Sequence, residues 1–211
     1  MGDTARRKSF GQTLGHSRCR GFTLVELVVV VIIISVFAAM AMPTIVNQMR
    51  DRRVREAAQR VASVYRQARL RAMGRGSAVL VRFASGRFTV FEAQMGPRHS
   101  DGSCAQLPFS SCLSTTWGTA NQRRAVDGFA PAAGGELSAL ALSVQDSGGT
   151  AVSALDVCFS PMGRVFARES TKDEDALTPL TEPYLSVINA PGLGRTRRVL
   201  LMPNGSARPS L

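Results

Sequence analysis

Glu26 is the one charged residue in the apolar run Phe22–Pro43, FTLVELVVVVIIISVFAAMAMP. A carboxylate at the centre of a bilayer helix costs roughly 2.5–3.5 kcal/mol, and less near the helix end, so this one needs a reason to be there. A second chemistry lies in Gly194-Arg195-Thr196-Arg197-Arg198, where guanidinium forks can grip phosphates without reading sequence. The plainer reading of that run is a solvated basic strand edge that discourages aggregation. The third is thiol chemistry. Cys104 and Cys112 enclose seven residues and can close a disulfide in an oxidising compartment, pinning part of a long loop, or stay as two reduced thiols. Cys158 falls in a predicted strand and is expected as a packed free thiol, while Cys19 lies in the basic amino-terminal stretch.

Other chemistries have no residues to carry them. Two His (His16 and His99) and four Cys are too few and too scattered for a metal centre. There is no Gly-rich phosphate loop and no nucleophile beside a base, so no catalytic residue, metal or cofactor is expected and the chain does not read as an enzyme. With 45% hydrophobic and 19% charged residues, the 211-residue chain is not disordered. A mean hydropathy of +0.03 excludes a multi-span membrane protein. Lys and Arg number 26 against 15 Asp and Glu, a net charge of +11 that attracts phosphate, anionic lipid or acidic protein without choosing among them.

The elements that must position these groups follow from the pattern. Residues 1–21 carry Arg6, Arg7, Lys8, Arg18 and Arg20 against Asp3, a net +4. The apolar run then supplies about the ~20 residues of a membrane span, and the preceding basic residues favour a cytoplasmic amino terminus. An ordinary secretory signal peptide, cut after Ala39-Met40-Ala41, is the competing reading. Beyond Pro43, Val54, Ala57, Ala58, Val61, Ala62, Tyr65 and Ala68 recur at helical spacing with Arg and Gln on the other face, and Gly74 and Gly76 are a stop signal. One helix over 22–73 would be about 78 Å long at 1.5 Å per residue. From Ser77 the chain reads as β: Ala78–Phe83 and Arg87–Ala93 flank Ala84-Ser85-Gly86 as a hairpin. Leu137–Val144, Ala154–Phe159, Arg164–Ala167, Tyr184–Asn189 and Arg197–Met202 are further strands, with turns at 160–163 and 203–205 and a variable connection at 94–134. The expectation is an α+β fold in which a long helix covers one face of an antiparallel β domain of about seven strands.

The segment Arg20-Gly21-Phe22-Thr23-Leu24-Val25-Glu26, with its apolar tail and Pro43, resembles the class III signal of type IV pilins and type II secretion pseudopilins. The hairpin directly after the helix, the stretch 157–164 and the terminal Arg197–Gly205 strand and turn are similar to the GspH/FimT family, which comprises H-type pseudopilins and FimT- and FimU-type minor pilins. The resemblance implies a prepilin peptidase that cuts between Gly21 and Phe22 and N-methylates Phe22. It implies that Glu26 pairs with that amine on a neighbouring subunit, and that Pro43 loosens the helix where helices pack in a filament core. It divides the chain into a leader (1–21), a transmembrane segment (22–42), an amphipathic continuation (43–76) and a periplasmic antiparallel β domain (77–211). Its partners would be other pilins, the peptidase and an inner-membrane assembly platform, at first as a single-pass inner-membrane protein and then in a pilus or pseudopilus. Gly194–Arg198 resembles the Gly-Arg-x-Arg element associated in that family with DNA uptake, so Arg195, Arg197 and Arg198 are candidate DNA contacts. An ordinary secreted β domain is the last reading.

Overall fold

The structure, a computed structural model, describes residues 22–94, 109–119, 122–131, 140–191 and 196–210. The chain divides into two compact units, Met1–Thr44 and Ile45–Leu211. In the first, the described residues form the apolar start of helix α1 (Leu24–Arg75, 52 residues), whose bounds lie within two residues of those expected at each end. Thr23 caps it: the Glu26 N–H donates to Thr23 Oγ1 at 3.3 Å, and Thr-x-x-Glu is the sequence of a capping box. Pro43 lies within the helix. Helix α1 ends ahead of Gly76, whose φ of +66° is the left-handed terminator that a side-chain-bearing residue adopts with strain.

Ile45–Leu211 holds the rest of α1 and two antiparallel sheets. One contains β1 (Val79–Ala84), β2 (Arg87–Ala93), β3 (Arg123–Phe129), β6 (Ala154–Phe159), β7 (Val165–Arg168) and β8 (Thr178–Pro179), in the order β3-β2-β1-β6-β7-β8. The other contains β4 (Ala141–Gln145), β5 (Ala151–Val152), β9 (Tyr184–Asn189), β10 (Thr196–Leu201) and β11 (Ala207–Ser210), in the order β11-β10-β9-β4-β5. Ser85 (φ 51°) and Gly86 (φ 70°) make the two-residue β1–β2 turn, whose positive φ values match the twist of the strands it joins.

The α+β class stands, and where about seven strands were expected the described residues form eleven short strands in two sheets. The main core lies among α1 (Val54, Ala57, Val61, Tyr65, Ala68), the first sheet (Val79, Val81, Phe88, Leu155, Val157) and the second (Val144, Ile188, Val199, Leu201). The Tyr65 hydroxyl meets Ser186 Oγ there at 3.5 Å, and burial pushes its pKa up to about 12. A second core covers the opposite face of the first sheet, where residues 109–119 lay Cys112 and the fully buried Trp117 over Leu80, Ala93 and Cys158. Strands β1 and β6 are therefore buried on both faces and show little alternation.

That outer face also carries a row of charge. Arg82, Asp156 and Arg168 lie opposite one another across β1, β6 and β7. Asp156, fully buried, accepts from Arg82 at 2.7 and 2.8 Å and from Arg168 at 3.0 and 2.8 Å. Arg168 goes on to Asp173 at 3.1 Å, and Asp173 accepts from the Gly118 N–H, so the row ties the 109–119 segment to the sheet. Removing one member of such a buried set costs roughly 3–5 kcal/mol, because the remaining charges lose their partner.

Candidate functional site

The amino-terminal apolar face is laid bare. Phe22 is 75% exposed, and every described side chain from Leu24 to Met42 is exposed, Glu26 among them. Helix α1 is long and apolar enough to cross a membrane, with a window of mean hydropathy 2.9, none of it buried against the chain. Glu26 lies in the first turn, where a carboxylate complements the positive end of the helix dipole. Gly21 and the rest of the leader, 1–21, lie outside the described residues.

Among the candidate DNA-contacting arginines, Arg195 lies outside the described residues, and the other two separate. In β10 successive side chains alternate faces. Arg197 turns toward α1 and donates to Asp51 at 3.2 Å, its side chain 20% exposed. Arg198 stands exposed on the opposite face, and Arg208 on neighbouring β11 is exposed as well. Arg123 and Arg124 lie apart from this patch, on β3 in the other sheet. Arg123 stacks on Phe91 with its guanidinium 4.3 Å from the ring centroid, and Arg124 bonds Glu92. Arg164 closes the turn at 160–163, with its carbonyl accepting from the Ser160 N–H at 2.9 Å.

The thiol expectation is corrected. Cys112 is bonded to Cys158, so Cys112 is not paired with Cys104 and Cys158 is not a free thiol. Cys158 points outward from β6 into the second core, and the 109–119 segment brings Cys112 onto it. Cys104 and His99 lie outside the described residues.

Sequence reading also missed a carboxylate that gathers three arginines. Glu92 of β2, nearly buried, accepts from Arg71 at 2.9 and 3.2 Å, Arg75 at 3.0 and 3.1 Å, Arg124 at 3.2 Å and Ser77 at 3.2 Å. Burial acts to raise its pKa, but the bonds and charges of Arg71 and Arg75 outweigh burial and hold it below the usual carboxylate value. The available signal was an acidic residue between apolar neighbours in a strand, Phe91 and Ala93, and Asp156 between Leu155 and Val157 carries the same mark. Among the described residues no group of three His, Cys, Asp or Glu is placed to hold a metal.

At the amino end, residues 16–42 match the family described as the prokaryotic N-terminal methylation motif. The chain thus carries a prepilin-type methylation motif at the head of a long exposed apolar helix, followed by an antiparallel β domain. Among solved structures, the chain is similar to the type IV minor pilin FimU of Pseudomonas aeruginosa in two crystal forms. One is 15% identical with a TM-score of 0.38, covering 74% of this chain and 92% of FimU. The other is 14% identical with a TM-score of 0.39, covering 77% and 91%. At those TM-scores the likeness carries no functional argument. No curated protein matches the sequence.

Proposed function

We propose that this chain is a structural minor pilin or H-type pseudopilin of the GspH/FimT kind, a filament subunit and not an enzyme. Prepilin peptidase cuts between Gly21 and Phe22 and methylates the new Phe22 amine. The subunit waits as a single-pass protein of the inner membrane with its β domain in the periplasm. An inner-membrane assembly platform then builds it with other pilins into a type IV pilus or a type II secretion pseudopilus, near the tip. Glu26 pairs with the Phe22 amine of a neighbour, and Pro43 loosens the helix within the packed filament.

The observation that carries this reading is the methylation motif at 16–42, set on an apolar helix segment whose described side chains are all exposed. Such a surface needs lipid or the helices of other subunits. A second reading, a FimT-like subunit that takes up DNA, draws on the net charge of +7 left when the +4 leader is removed from the chain's +11, and on exposed Arg198 and Arg208. Mass spectrometry of the protein purified from its own membranes tests the main reading. The expected amino terminus is N-methylated Phe22, whereas a chain beginning at Met42 identifies a cleaved signal peptide and rejects it.

A further inference from the structure

Of the arginines around Glu92, Arg71 lines a groove, and Arg75 and Arg124 meet it through the carboxylate that all three share. Three cations share one carboxylate, a local excess of two positive charges. The Arg75 and Arg124 side chains are 54% and 51% exposed. A guanidinium has five N–H donors, so each retains donors beyond those it gives to Glu92. This groove, about 320 Å³, runs between α1 and β3, with Val64, Ala68, Val90 and Val126 as its apolar lining and Gln67, Arg71 and Asp127 as its polar lining; the Asp127 carboxylate is paired with Arg60.

A bulge shapes that groove. Val90 lies opposite Asp127 and Phe91 opposite Ala125, so Val126 is an extra residue in β3. An extra residue lets two successive side chains share a face. Val126 packs against the main core, and Asp127 meets Arg60 of α1 at 3.5 Å, so both face the helix. Strand β3 is also the outermost strand of its sheet among the described residues, and an outermost strand presents backbone donors and acceptors along its edge.

We propose that the groove between α1 and β3 is a docking site for an extended acidic–apolar segment of a partner protein. The segment adds to the edge of β3 and seats alternate apolar side chains on the Val64–Val126 floor. It sets a carboxylate against Arg75, Arg124 and Arg71. Edge addition supplies main-chain hydrogen bonds without regard to sequence. The floor and the arginines supply selectivity, because a carboxylate gains fork-shaped donors there and a lysine meets like charge. None of this depends on how the amino end is processed, so it stands apart from the filament reading.

The test uses the full chain in detergent micelles and a fluorescein-labelled peptide of about ten residues alternating valine and glutamate. Comparison probes carry lysine for glutamate, or serine for valine, and a further probe is a short DNA duplex. The valine–glutamate peptide is expected to bind most tightly, and Arg75→Gln with Arg124→Gln to weaken it by roughly tenfold or more through loss of two charge-assisted partners. Arg71 still holds Glu92 in that variant. Gln67→Trp, an exposed change that fills the groove and leaves every arginine in place, should weaken the same peptide, and Arg198→Gln with Arg208→Gln should not. The proposal is overturned if the lysine peptide binds as well, or if both groove variants bind as wild type does. Equal binding of the serine peptide rejects the apolar floor. Displacement of the peptide by duplex DNA, with the same arginine dependence, reassigns the cluster to phosphate and also overturns it.

Discussion

Arg197 of β10 donates to the Asp51 carboxylate of α1 at 3.2 Å, and this contact joins the last third of the sequence to the helix. Asp51 also accepts from Arg55, four residues along the same helix, at 3.5 Å. The Arg197 and Asp51 side chains are 20% and 15% exposed, so this ion pair is shielded more than an ordinary surface pair. An arginine spent in this way is poorly placed to leave for a phosphate.

The neighbouring arginines of β10 are therefore expected to behave differently. Arg197→Gln should lower stability by about 1 kcal/mol, since one charged hydrogen bond is lost while Arg55 still partners Asp51. Arg198→Gln should leave stability within about 0.5 kcal/mol, as exposed substitutions usually do. If DNA uptake is this protein's work, Arg198→Gln should also reduce duplex binding for any sequence and flatten its salt dependence. Urea unfolding of each variant, followed by duplex binding across a salt titration, reads both effects. An unchanged salt slope in Arg198→Gln would remove Arg198 from any DNA surface.

Long-period features of this fold were legible in the sequence, and long-range pairings were not. Helix α1 follows from one unbroken apolar run passing into 3.6-residue spacing, and its end from Gly76. Ala84-Ser85-Gly86 marked the first hairpin correctly because only positive φ values close so short a turn. Strand β3 was hidden in the expected loop at 94–134. Its sequence RRAVDGF carries charges and a glycine, its bulge breaks the alternation, and an edge strand needs only one partner. The disulfide was misassigned because nearness in sequence suggested Cys104 for Cys112, whereas the second core, which joins residues 109–119 to β6, appears only once the sheet is folded. Arg197 and Arg198 read as one patch until strand geometry turned them to opposite faces.

Acid should act through Glu92. Its folded-state pKa lies below the value of 4.5 expected for an unpaired glutamate, so the unfolded chain takes up this proton first as pH falls. The stabilisation is fully present above about pH 4.5 and is lost as pH drops through the lower folded value. Glu92→Gln keeps the shape but removes the anion that three arginines share, and at pH 7 it should cost roughly 1–3 kcal/mol. As pH falls below 4.5 the gap between wild type and variant should close, because wild type then loses the same charge. Urea midpoints at pH 7 and near pH 3 give the comparison. A gap that stays constant with pH would mean that Glu92 contributes shape and not charge.

Glu26 occupies two roles that substitution can separate. Its backbone N–H is bonded to Thr23 Oγ1, and its carboxylate stands in the first turn of α1, so it serves the helix end locally. In the proposed filament the same carboxylate also pairs with the Phe22 amine of a neighbour. Glu26→Gln keeps the backbone bond and the side-chain length while removing the charge. Thr23→Ala removes the capping oxygen and keeps the charge. Membrane insertion, read by resistance to carbonate extraction, should survive both changes and be eased in Glu26→Gln, because a neutral amide costs less than a carboxylate in the bilayer. Co-purification with partner pilins and filament output should fail in Glu26→Gln and persist in Thr23→Ala. Equal loss in the two variants would reduce Glu26 to a cap. Wild-type assembly by Glu26→Gln would end the docking role altogether.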